Sequence, residues 1–245
     1  MNLLIDIGNS RLKWALHEAT NLTEGEAVNY DSDFTKQLFC RWQNVSQPGC
    51  IAIANVNASE KLNQVQGIAY QLWPGIKIFR PQSLAEGYGV RNGYRDPEKL
   101  GIDRWLALVA ARNYFPFSVC IVDCGTAVTV DFLNQDGIHL GGLITPGLKL
   151  MKKSLAQGAA DLELISQDYP AGLANNTEAA IYSGALFSIA GLIEHVMLKT
   201  PGFQLILTGG DAEIIARQLT IDVMVKSDLV LSGLALVSSH SSKEP

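Results

Sequence analysis

Apolar residues along this chain recur with two rhythms. Short alternating or continuous apolar runs predict strands at residues 4–7, 11–16, 50–54, 76–79, 119–123, 128–133, 138–145, 203–207 and 222–225. Spacing of three to four residues predicts helices over 103–114, 175–198, 211–219 and 229–238, and a further helix after Gly147. Strands followed by helices in both halves indicate α/β architecture.

The pattern also repeats. Leu4-Ile5-Asp6-Ile7-Gly8-Asn9-Ser10 is echoed by Ile121-Val122-Asp123-Cys124-Gly125-Thr126-Ala127, with the two aspartates 117 positions apart. Each copy leads into a second apolar run, so each reads as a hairpin with a glycine-containing turn. A separation of nearly half the chain predicts two similarly built halves, 1–117 and 118–245, and excludes a solenoid with its far shorter period.

Composition narrows the class. The 245 residues are 47% hydrophobic and 18% charged, which excludes fibres, disordered tails and disulfide mini-scaffolds. No uninterrupted apolar run approaches the ~18 residues of a spanning helix, and Asp6 breaks the apolar start, so a cytoplasmic protein without membrane association is expected. A formal charge of −5 argues against nucleic acid as a partner. Cys40, Cys50, Cys120 and Cys124 form no Cys-x-x-Cys pair. On a strand, Cys120 and Cys124 would stand roughly 13 Å apart, too far to bridge, and read as small buried hydrophobes. Residues 238–245 read as a polar, frayed end.

Charge is unevenly divided: residues 1–117 carry +1 and 118–245 carry −6. Arg80, Arg91, Arg95, Arg104 and Arg112 fall in one window that suits an anionic small molecule, although scattered surface arginines account equally well for Arg80 and Arg112.

Asp6 is presented where a strand meets Gly8, beside Asn9, Ser10 and Lys13. A carboxylate for Mg²⁺, turn amides and hydroxyls for phosphate oxygens, and one lysine charge make up a nucleotide phosphate site. One such turn is equally an ordinary hairpin with a stabilising Asp. The second copy, with Asp123, Gly125, Thr126 and Thr129, shifts the balance, because two such turns facing each other across a cleft would grip one nucleotide.

Between them, Gly101 ends a loop and Asp103 begins a helix, either as its cap or as a base accepting the proton of a substrate hydroxyl, with Arg104 holding an anionic group. Gly141-Gly142 and Pro146-Gly147 permit close backbone approach, or serve packing alone. Asn176 or Thr177 caps a long helix, and Thr208-Gly209-Gly210-Asp211 is a strand-to-helix turn open to an adenosine. The four histidines show no triad spacing. Trp14, Trp42, Trp73 and Trp105 read as core or interface aromatics.

In order and spacing, Asp6-Ile7-Gly8-Asn9-Ser10-x-x-Lys13, Gly101-x-Asp103-Arg104, Asp123-x-Gly125-Thr126-Ala127-x-Thr129, Gly141-Gly142-x-Ile144-x-Pro146-Gly147, Asn176-Thr177 and Gly209-Gly210-Asp211 resemble the type III pantothenate kinases. The resemblance covers about residues 2 to 235, with Ser10 where the family commonly has Thr. It implies two ribonuclease-H-like domains of the acetate and sugar kinase, heat-shock ATPase and actin superfamily, with ATP between them. It further implies ATP contacts by Asp6, Ile7, Gly8, Asn9, Ser10, Arg11, Leu12, Lys13 and Thr126. Mg²⁺ would be held with help from Asp6, and a monovalent cation, K⁺ or NH₄⁺, at Asp123. Pantothenate contacts would come from Tyr94, Gly101, Ile102, Asp103, Arg104 and Thr177, with Asp103 as proton acceptor. Family members act as homodimers.

The expected activity is therefore ATP-dependent phosphorylation of pantothenate, the first step towards coenzyme A. Its rivals are phosphorylation of another small hydroxylated acid, hydrolysis of nucleotide or polyphosphate, and a non-catalytic ATP-binding regulator. A ribonuclease-like nuclease would want a basic surface and a tight carboxylate cluster.

Overall fold

The opening apolar run is buried on both faces and forms β1 (Asn2–Ile7), the middle strand of a mixed sheet. After the turn at residues 8–10 the chain returns antiparallel as β2 (Arg11–Glu18), with Asp6 opposite Lys13 and Ile7 opposite Leu12. β3 (Asn21–Leu22) and β4 (Glu26–Asn29) pair with β2. Beyond them come α1 (Phe34–Trp42), β5 (Ile51–Asn55) parallel to β1, α2 (Ser59–Leu72) and β6 (Ile78–Phe79) parallel to β5. Leu3, Ile5 and Ile7 project to the side covered by α1 and α2, where Trp14, Trp42 and Trp73 are buried together. A short hairpin of β7 (Glu86–Gly87) and β8 (Val90–Arg91) and a 3₁₀ turn at Pro97–Lys99 lead into α3 (Ile102–Tyr114).

The same plan recurs in the second half. β9 (Val119–Cys124) pairs antiparallel with β10 (Ala127–Leu133), and β10 with β11 (His139–Pro146). α4 (Leu148–Gly158) and α5 (Thr177–Lys199) follow, then β12 (Gln204–Thr208) parallel to β9, α6 (Ala212–Ala216) and β13 (Val223–Val225) parallel to β12. The order β11-β10-β9-β12-β13 matches β3-β2-β1-β5-β6 strand for strand, and Asp6 and Asp123 hold the same penultimate position on equivalent strands. This is the ribonuclease-H-like plan expected for each half.

This computed structural model describes residues 1–19, 21–23, 26–158 and 168–241. They fall into two compact units, Met1–Tyr114 with Asp228–Pro245, and Phe115–Ser227. The division corrects the expected 118–245 span, because the last helix, α7 (Leu229–Ser241), packs on β1, β5 and α3 of the first unit. Its Gly233 makes that return feasible: a Cβ there would stand 2.0 Å from the Leu106 carbonyl oxygen, so only bare backbone lets α7 and α3 approach this closely. The expected fraying from 238 does not hold at 238–241, which are helical, while 242–245 lie outside the described residues.

α5 differs from expectation in another way. It is long and apolar enough to cross a bilayer by length and composition, with a mean hydropathy of 1.5 over its best window. Its apolar content includes Tyr182, Leu186, Ile189 and Ile193, which are buried against the second unit's sheet. All four cysteines are free thiols, and Cys120 and Cys124 are buried on β9.

Candidate active site

The first turn is built by pairing. Ile7 and Leu12 close the ladder, and the Gly8 N–H donates to the Arg11 carbonyl at 3.2 Å. Ile7 and Leu12 are fully buried, so neither side chain is open to a ligand. Asn9 and Ser10 are exposed at the tip. Lys13, opposite Asp6, forms an ion pair at 3.7 Å with Asp228, the residue that precedes α7.

Two residues that sequence reasoning passed over hold this turn from behind. The Tyr30 hydroxyl, just past β4, and the Asn57 amide, just past β5, both donate to the Gly8 carbonyl, at 3.0 and 2.9 Å. Burial and then the nearby Asp6 charge push the Tyr30 phenol well above its ordinary range, with an Asn57 hydrogen bond acting the other way, so it stays a donor. No local motif marks either residue. Asp228 had a signal, an acidic residue directly ahead of an apolar helical run.

The second group in this unit gathers at the start of α3. The Asp103 carboxylate accepts from the Arg104 N–H at 2.8 Å, a donor that helix geometry leaves without an intrahelical partner. Asp103 is thus a first-turn residue and not the helix cap. Gly101 makes room for it, since a Cβ there would lie 2.6 Å from Asp103 Oδ1. Arg104 is buried, donates to the Tyr94 hydroxyl at 2.5 Å and lies with its guanidinium 5.3 Å from that ring's centre. Asn92, also buried, carries the loop by donating to the Leu84 and Pro97 carbonyls and accepting from the Tyr94 N–H. Tyr94, Gly101, Ile102, Asp103 and Arg104 therefore form one corner. Arg112 instead donates to the Gly89 carbonyl and Arg91 pairs with Glu86, so neither belongs to it.

In the second unit the turn at residues 125–126 is enclosed by backbone. Gly147 donates to the Thr126 carbonyl at 2.9 Å, and a Cβ on it would stand 2.1 Å from the Gly125 oxygen. Gly209, at φ +94°, lies against Asp123 and Cys124, where a Cβ would come within 2.4 Å of Asp123 Oδ1. The Asp211 N–H donates to the Cys124 carbonyl at 3.0 Å. Burial first, then the Asp123 and Asp211 charges, raise the Cys124 thiol well above its ordinary range. At α5 the alternatives separate: Asn176 caps the helix by accepting from the Ala179 N–H at 2.9 Å, leaving Thr177 exposed in the first turn. A groove of about 810 Å³ in this unit, lined by Glu194, Phe203 and Met224, sits by the starts of β12 and β13, the strand ends opposite to Asp123 and Thr208.

The histidines are less scattered than their spacing indicates. His139 Nε2 lies 2.8 Å from Asp131 Oδ1, with both side chains buried between β10 and β11 and sealed from any substrate.

Comparison with known proteins decides the family. The family model described as type III pantothenate kinase matches residues 2–199. The type III pantothenate kinase of Nitrosococcus oceani is 39% identical over 258 residues, covering 99% of this chain and 96% of that one. That of Dichelobacter nodosus is 35% identical, covering 96% of each. This chain belongs to the type III pantothenate kinase family.

Among solved structures, component A of the Acidaminococcus fermentans (R)-2-hydroxyglutaryl-CoA dehydratase aligns with a TM-score of 0.58 at 13% identity, covering 99% of both chains. A Campylobacter jejuni protein assigned to the Baf family of transcriptional activators aligns at 0.62 and 23%, covering 99% of this chain and all of the other. Both show the fold.

Within this kinase family the donor sets fit the implied ions. Among the described residues no three His, Cys, Asp or Glu side chains converge on a metal cage. Mg²⁺ bound with ATP does not need one, because one carboxylate, phosphate oxygens and waters complete its octahedron. Asp6, at the strand end beside an open turn, suits that arrangement. Asp123, at the equivalent strand end against the Gly209 backbone, presents carboxylate oxygens of the hard type that such cations accept.

Proposed function

We propose that this chain transfers the γ-phosphoryl group of ATP to the 4′-hydroxyl of pantothenate, giving ADP and 4′-phosphopantothenate in the first step of coenzyme A biosynthesis. The observation that carries the reading is the corner at α3, where a carboxylate seated over bare Gly101 backbone stands next to a buried Arg104 bonded to the half-buried Tyr94. That corner has what a hydroxylated carboxylic acid requires: a base for its alcohol and a guanidinium with a phenol for its polar end.

In this reading Tyr94, Gly101, Ile102 and Arg104 orient pantothenate, and Thr177 adds a hydroxyl. Asp103 accepts the proton as the substrate oxygen bonds to the γ-phosphorus and the bond to the β-phosphate oxygen breaks. Such transfers are largely dissociative, so positioning and charge neutralisation contribute more than basicity. The Asp6–Lys13 turn holds ATP phosphates, through the Gly8 and Asn9 amides, Ser10 and Lys13, and Thr126 also contacts ATP. Mg²⁺ at Asp6 and K⁺ or NH₄⁺ at Asp123 would supply positive charge to the phosphates when bound.

The active form is read as a homodimer in the cytoplasm. Supporting this, α5 leaves a face of Ala180, Gly184, Phe187, Gly191 and Leu198 exposed, small and apolar residues that suit a second helix. Four free thiols suit a reducing compartment.

The test is phosphopantothenate formation by purified protein with Mg²⁺ and ATP, with and without K⁺, beside Asp103→Asn. Product from the parent and its loss in the variant are expected; no product under any condition refutes the reading.

A further inference from the structure

The carbonyl of Gly8 receives two side-chain donors from two different segments, the hydroxyl of Tyr30 at 3.0 Å and the amide of Asn57 at 2.9 Å. A typical loop carbonyl is left to water, so this double anchoring of an exposed turn calls for a reason.

The geometry of the peptide unit supplies one. Among the described residues no peptide bond is cis, so the Gly8 carbonyl and the Asn9 N–H point in opposite directions within one rigid plane. Fixing the oxygen toward Tyr30 and Asn57 therefore aims the Asn9 N–H away from them, outward from the turn. Donors on the carbonyl also polarise the amide, strengthening its N–H toward an anion. Left unanchored, a glycine-flanked peptide rotates readily, and the same turn would present a carbonyl oxygen to a phosphate.

The anchors are themselves secured. Tyr30 packs edge-on against Phe34, with ring centres 4.9 Å apart, and Lys61 Nζ lies 5.2 Å from its ring centre. Asn57 receives the Ala58 N–H on its side-chain oxygen at 2.6 Å and gives its own N–H to Asn55 Oδ1 at 3.1 Å, which leaves the amide nitrogen directed at Gly8. The Val56 N–H donates to the Ile7 carbonyl at 3.2 Å, continuing the β5 side of the brace up to the turn.

We propose that Tyr30 and Asn57 are positioning residues that lock the Gly8–Asn9 peptide with its N–H facing outward, setting the turn for the phosphates of ATP. This rests on the functional reading above, but it concerns nucleotide binding and not the acceptor.

The test compares Tyr30→Phe, Asn57→Ala and the double variant with the parent. Binding of Mg²⁺ with a non-hydrolysable ATP analogue is measured by calorimetry, and KM is determined separately for ATP and pantothenate. Tyr30→Phe keeps the ring and its contacts, and a melting curve checks that each variant is folded. Loss of one hydrogen bond is expected to weaken analogue binding about five-fold, and loss of both by more than the product, because either donor alone still restrains the peptide. The KM for ATP should rise in step while the KM for pantothenate stays put, a split that general loosening of the fold does not produce. Unchanged nucleotide affinity in the folded double variant overturns the proposal, as does a parallel rise in both KM values. A parent that binds the analogue yet phosphorylates no pantothenate refutes the functional reading alone, and the binding series still decides the inference. A parent that binds no nucleotide overturns both.

Discussion

Asp103 and Gly101 show how much chemistry can depend on a missing methyl group. A Cβ at position 101 would meet Asp103 Oδ1 at 2.6 Å, so Gly101→Ala must displace the carboxylate without deleting it. Misplacing a reacting group by about 1 Å costs of the order of 100-fold in rate, so kcat should fall about that far while the melting temperature barely moves. Asp103→Asn removes the base itself and should lower kcat by about 100-fold or more, with nucleotide affinity retained. Steady-state kinetics beside calorimetry check both, and an Asp103→Asn variant that keeps the parent's kcat would rule out Asp103 as the proton acceptor. At this scale the sequence was readable for position, placing Asp6 and Asp123 at strand ends and Asp103 at a helix start. It was silent on Tyr30 and Asn57, whose roles arise only when chain ends of β4 and β5 converge on a carbonyl 22 and 49 residues away. The His139–Asp131 contact was likewise hidden, because two adjacent strands and a register shift create it.

Elements were legible where apolar residues dominate them and obscure where they do not. α1 and α2 escaped the periodicity reading, although Phe34, Leu38 and Trp42, and Leu62, Val65, Ile68 and Ala69, are their buried stripes. Each stripe is narrow and set among polar residues, so these helices owe their stability to packing on the sheet more than to local pattern. Conversely, α6 is shorter than its pattern, ending at Ala216, because the Gln218 and Leu219 N–H groups turn to i−3 carbonyls. The return of α7 has a direct test. Gly233→Ala places a methyl 2.0 Å from the Leu106 oxygen, an overpacking that typically costs about 1–3 kcal/mol. For a chain of this size each kcal/mol lowers Tm by about 2–4 °C, and an unchanged melting curve would contradict the helix contact. The central strand β9 offers another. Burial pushes the Cys120 thiol up to about 12, and Cys124 higher for the same cause with Asp123 and Asp211 adding to it. Both groups thus remain protonated thiols across neutral and mildly alkaline pH. Iodoacetamide at pH 8 should label exposed Cys40 first and leave Cys120 and Cys124 unreacted until denaturant is added, as read by peptide mass spectrometry.

For the whole molecule, the internal echo was the most informative line of the sequence, because it pointed to two similarly built halves, and the two sheets share one strand order. What it missed was the crossing of the last helix back to the first unit, since an apolar run carries no address. The remaining question at this scale is assembly. α5 buries Tyr182, Leu186, Ile189 and Ile193 inward yet leaves Phe187 48% exposed amid Ala180, Gly184 and Gly191, a stripe with no charge to keep it in water. Glycines along such a stripe let a second helix approach closely, and a two-fold arrangement would pair the stripe with itself. In the proposed dimer Phe187→Glu would set like charges facing each other across the axis, so the variant should run as a monomer in light scattering. Because Phe187 lies outside the core, the variant should keep its circular dichroism and its affinity for nucleotide. Thr177 opens the same helix, so if pantothenate is bound near that interface its KM should rise by roughly ten-fold or more, the equivalent of one lost charge-assisted hydrogen bond. A parent that runs as a monomer removes this account of α5. A monomeric variant with an unchanged KM for pantothenate would separate assembly from the substrate site.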